Sequence, residues 1–143
     1  MEKGDIQSYD SRGFGVVFEG LLASEPTGFR SLLVSRSNDW DRIIRSWKPN
    51  DLPLKALSDH TNRLGIGAEV YTFLDPSAAD AIDKWLVRKG ISVPVMYYES
   101  VNELSYDLRF KRSIRIIYVP QDEQAKIIGV RATVSSPESA WVI

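Results

Sequence analysis

Residues 114 to 137, IRIIYVPQDEQAKIIGVRATVSSP, limit the possible folds more than any other stretch of the chain. Ile114, Ile116, Ile117, Tyr118 and Val119 form an apolar run of strand length without polar alternation, as expected for a parallel strand covered on both faces. Pro120 turns the chain. Ala125, Ile127 and Ile128 then give one apolar helical face, and Gly129 stands where a helix stops with positive φ. Val130, Ala132 and Val134 read as the returning strand, so the stretch is a βαβ unit.

The upstream chain repeats this alternation. Phe14, Val16 and Phe18 have strand periodicity, and 29 to 35, FRSLLVS, reads as a second strand that forms an antiparallel hairpin with the first and sits at the sheet centre. Ser37 or Asn38 can cap a helix with Trp40, Ile43, Ile44 and Trp47 inward, and Asp39 and Asp41 suit its first turn. Pro49 ends that helix, and another follows from Leu52 or Pro53 to Leu64, with Leu54, Leu57 and Leu64 inward. A strand at 68 to 73 leads through Asp75 and Pro76 into an amphipathic helix carrying Ala78, Ala79, Ile82, Trp85 and Leu86. Pro94 places the next strand, 93 to 98, at an edge or marks its start, and Ser100 and Glu103 have capping-box spacing.

The fold class expected is therefore α/β, a three-layer sandwich with a mainly parallel sheet and an N-terminal antiparallel hairpin strand. Residues 1 to 12 read as a loose arm, and 13 to 143 as one domain. With 18 basic against 19 acidic residues, no long-range field of the nucleic-acid-binding kind is present. The absence of cysteine removes thiolate chemistry and disulfides and fits a cytoplasmic location. No apolar run is long enough to span a bilayer, so no membrane partner is expected.

The succession LLVS, EVYTF, AADAIDKWLVRKG, VPVMYY and IIYVPQDEQAKIIGVRATVSS resembles the core of the haloacid dehalogenase superfamily, Rossmann-like phosphotransfer enzymes. Active members carry D-x-D at the end of the first parallel strand, the first aspartate being the nucleophile. The matching residues here read Ser35, Arg36 and Ser37. The resemblance matches the family's hydroxyl at the next strand end to Thr72, its lysine to Lys111 or Arg112, and its final acidic metal ligands to the region of Gln121, Asp122 and Glu123. It thus implies a scaffold without the nucleophile, and no catalytic residue, metal or cofactor is expected.

The strand ends near Ser35, Phe73, Glu99, Pro120 and Ser135 should meet at one edge, where open α/β sheets bind ligands. Candidate ligand contacts there are Ser35, Ser37, Thr72, Gln121 and Asp122. Arg109, Lys111, Arg112 and Arg115, with Phe110 among them, are a candidate nucleic-acid or anion cluster, although a solvated helix end gives the same letters. Trp141, in a terminal tail, is a candidate partner contact, whereas Trp40, Trp47 and Trp85 belong to the core and His60 to the surface or to packing on a helix face. The leading expectation is a non-catalytic domain that binds a protein or a second copy of itself. The alternatives are a small-molecule or phosphate binder, or a phosphotransfer enzyme, at the strand-end edge, and a nucleic-acid-binding accessory protein acting through the 109 to 115 cluster.

Overall fold

The structure, a computed structural model, describes residues 13–26 and 39–139. The strands are β1 (Gly13–Val17), β2 (Ala23–Ser24), β3 (Lys48–Pro49), β4 (Ala68–Thr72), β5 (Val95–Tyr97), β6 (Ile114–Val119) and β7 (Ala132–Val134). The helices are α1 (Trp40–Arg45), α2 (Asp51–Ser58), α3 (Pro76–Arg88), α4 (Val101–Leu108) and α5 (Asp122–Ile128), with a π-helical turn at Asp59–Arg63 continuing α2. Five strands form a parallel sheet in the order β5-β4-β1-β6-β7, while β2 and β3 form a separate antiparallel pair.

This order explains why the sheet has two covered faces. The chain steps outward from β1 through β4 to β5, then returns to the other side of β1 for β6 and β7. Right-handed crossovers in opposite directions must lie on opposite faces. Accordingly, α1, α2 and α3 pack on one face through Trp40, Ile44, Trp47, Leu57, Ile82 and Trp85, against Phe14, Val16 and Phe18 of the central strand and its extension. On the other face Leu104 and Leu108 of α4 cover Val17, Tyr71 and Ile117, with Ala125 and Ile128 of α5 packed beside them.

Several local expectations move. Both edges of β1 are taken by the parallel neighbours β4 and β6, so β1 is the centre of the described sheet; the segment 29 to 35 lies outside the described residues. The antiparallel pairing is found instead between β2 and β3, where buried Asn50 clamps the junction: its side-chain amide donates to Leu21 O at 2.8 Å and its backbone N–H to Leu22 O at 3.0 Å. Leu64, placed inward by helical periodicity, is exposed, because the widened π turn shifts the phase after Ser58. Ile127 is likewise exposed, and only Ala125 and Ile128 of that face reach the core.

Other expectations stand as read. Trp40, Trp47 and Trp85 are buried. His60 is buried on its helix, with Nδ1 2.6 Å from Ala56 O and its ring edge-on to Phe14. Asp75 caps α3 by accepting from the Ser77 N–H at 2.9 Å. Ser100 caps α4, while the Glu103 carboxylate reaches back to the Glu99 N–H, one residue before the usual capping-box position. Gly15 leaves room for Tyr71, since a Cβ at that position would collide with the Tyr71 ring.

Candidate functional site

The carboxyl ends of the parallel strands bring together a different set of residues from the one expected. Phe18 continues β1 by donating its N–H to Tyr71 O at 2.8 Å, and the chain then delivers Glu19 to the end of the central strand. The Phe73 N–H donates to Glu19 Oε2 at 2.9 Å, whereas Oε1 is sealed from solvent without a hydrogen-bond partner among the described residues. Burial pushes this carboxyl above its ordinary value of 4.5, and the Phe73 N–H and the Thr72 hydroxyl only partly oppose it.

Thr72 itself is fully buried, and its Oγ1 accepts from the Leu74 N–H at 3.3 Å. Gln121 and Asp122, by contrast, are exposed at the start of α5. Gly20, with φ of 90°, lies against Pro120, where an added Cβ would be 3.2 Å from the proline ring, so the turns after β1 and β6 pack closely together. Ser35, Ser37 and Trp141 lie outside the described residues. Among the described residues no group of three or more His, Asp or Glu side chains is arranged to hold a metal, and no helix is long and apolar enough to cross a membrane.

Glu19 carries a testable pH dependence. Its folded pKa lies above the unfolded one, so its contribution is fully present below pH 4.5 and is lost as pH rises through the raised folded value. Glu19→Gln keeps the acceptor for Phe73 and removes the buried charge. Thermal melts from pH 4 to 8 should show the variant gaining on the wild type as pH rises, with the two converging at the acid end. A variant that loses stability equally at every pH would contradict this burial account.

The opposite, amino-terminal edge of the sheet contains two concavities that share Ile114. One, of about 370 Å³, is lined by Gly13, Gly65, Gly67, Glu69, Pro94 and Ser113. The other, of about 510 Å³, is lined by Arg109, Arg112, Ile114, Arg115 and Arg131. The 109 to 115 cluster therefore divides. Lys111 turns away to pair with Glu69 at 3.0 Å, and Glu69 also accepts from the Tyr71 hydroxyl at 3.0 Å. Arg109, Arg112 and Arg115 stay exposed around the second concavity.

Arg131, which the linear cluster omits, completes that wall. Its Nη1 donates to Lys111 O at 2.9 Å and Ile114 O at 2.8 Å, and its Nη2 to Leu108 O at 2.5 Å. These bonds satisfy carbonyls at the end of α4 and hold the turn into β6. The signal for Arg131 was present in the βαβ unit, because a parallel pair brings the starts of its two strands to the same edge. Glu19 had no comparable signal, since its burial depends on which strand is central.

Comparison of the chain with protein-family models, curated proteins and solved structures returns no match. Function rests on this geometry alone.

Proposed function

We propose that the chain is a non-catalytic binding domain for a macromolecular partner, built on a haloacid-dehalogenase-like scaffold. The observation that carries the reading is the sequestration of Glu19 at the end of the central strand, where it serves the fold and its Oε1 meets no solvent. Support for the scaffold is the sheet order, in which the first parallel strand is central, as in doubly wound sheets. With β1 as that strand, the family's D-x-D position moves from residues 35 to 37 onto Glu19, Gly20 and Leu21, where the first residue is a carboxylate sealed in the fold and the third is a buried leucine. A carboxylate closed off from solvent and a leucine do not supply the exposed acid pair that attacks phosphorus and holds magnesium. A cytoplasmic location accompanies this reading and draws on the absence of cysteine.

Incubation with p-nitrophenyl phosphate and magnesium tests it. The expected result is no turnover above that of Glu19→Gln and Asp122→Asn variants. Magnesium-dependent hydrolysis abolished by either substitution would overturn the proposal.

A further inference from the structure

We infer that the arginine-lined concavity at the amino edge of the sheet binds single-stranded nucleic acid, with phosphates at Arg109, Arg112 and Arg115 and bases stacked on Phe110 and Tyr106. The inference rests on the reading of the chain as a binding domain and names its partner.

The charges come first. Four guanidinium groups border about 510 Å³, and among the described residues none of them is paired with a carboxylate. Lys111, from the same run, shows the contrast: it is neutralised by Glu69. A basic run at a helix end often does no more than complement the negative end of the helix dipole. Here Arg131 already fills that role through its carbonyl bonds, which leaves the other three charges in surplus. The chain as a whole has a net charge of −1, so four arginines around one concavity are a local concentration of charge and not part of a general basic excess.

The aromatic rings narrow the ligand class. Phe110 is 70% exposed and Tyr106 60% exposed, although most aromatic side chains described are buried. The two rings meet edge-to-face at 5.8 Å, and the Arg109 guanidinium lies over Tyr106 at 5.3 Å, which joins the pair to the rim of the concavity. Exposed rings beside unpaired arginines suit a strand whose phosphates follow the charges while its unstacked bases lie on the rings. A duplex keeps its bases stacked inside and would make no use of them. An acidic peptide would satisfy the arginines but not the rings.

Fluorescence anisotropy with labelled mixed-sequence 12-nucleotide RNA and DNA strands, using the full chain over a salt series, tests this. The wild type should bind, and a preference between the two sugars identifies the natural strand. Arg112→Gln with Arg115→Gln should reduce the slope of log affinity against log salt by about 1.4, at about 0.7 for each phosphate no longer neutralised. Phe110→Ala should weaken binding about 5- to 150-fold, the effect of losing one stacked base, with the slope unchanged. All three residues are exposed, so unchanged melting temperatures confirm that the variants fold.

No binding at low salt, or binding that these variants leave intact, overturns the inference. So does equal affinity for a duplex or a polyglutamate peptide combined with indifference to Phe110→Ala. A chain that binds no strand and hydrolyses no phosphate ester loses this inference alone, whereas one that hydrolyses the ester loses the underlying reading as well.

Discussion

Truncation of Phe18 to alanine should destabilise the fold by about 3–5 kcal/mol, the usual range for a large aromatic side chain removed from a closed core. The ring is fully buried just beyond β1, with centroid distances of 5.4 Å to Trp47 and 5.5 Å to Trp85. These neighbours come from different segments, the turn after α1 and the C-terminal end of α3, so one ring ties both to the central strand. The two large rings left around the position cannot collapse into the space without leaving their rotamers, which places the expected cost toward the upper end. Domains of this size have total stabilities of about 5–15 kcal/mol, so the variant should be at or near the threshold of folding. Urea denaturation should show a much lower midpoint with little change in slope. Phe110→Ala is the control, since an exposed ring should change stability by less than about 0.5 kcal/mol. Equal behaviour of the two variants would mean that the aromatic core has been assigned wrongly.

Arg131→Met should cost about 2–4 kcal/mol, because it removes a charged donor from three carbonyl acceptors at once. The side chain is partly buried, so water can reclaim some of those carbonyls and the cost stays below the sum of the individual bonds. Arg131→Lys should recover little, because an ammonium group lacks the planar fork that reaches carbonyls on two sides. Hydrogen exchange should locate the damage: amides from 108 to 114 lose protection, while β4 and α3 keep theirs. A fully stable Met variant, or complete rescue by Lys, would show that the turn into β6 holds itself.

These two residues also show where the sequence was informative. The apolar runs at 68 to 73 and 114 to 119, the Asp75-Pro76 helix start and the buried faces of Trp40, Ile44 and Trp85 are local patterns, and local patterns give element type. Which strand lies at the centre is a non-local property. Phe14, Val16 and Phe18 alternate as a half-exposed strand would, because Gly15 makes room for Tyr71 on the other face and so hides that this face is covered too. The alternation suggests an outer hairpin strand, and the structure shows both edges paired in parallel. Once β1 is central, Glu19 becomes the strand-end carboxylate. The basic cluster was visible as letters, but its division into a paired Lys111 and three arginines with no carboxylate partner among the described residues depended on Glu69 and Arg131, far away in sequence.

In the proposed function the carboxyl edge of the sheet serves the fold and its amino edge serves binding. Amide chemical-shift mapping by NMR, with a single-stranded oligonucleotide titrated into the full chain, tests this assignment most directly. The expected perturbations cluster at residues 106 to 115 and at Val130 and Arg131, while Glu19, Gly20, Phe73 and Gln121 stay unmoved. Shifts concentrated at the latter four, with the arginine wall silent, would contradict it.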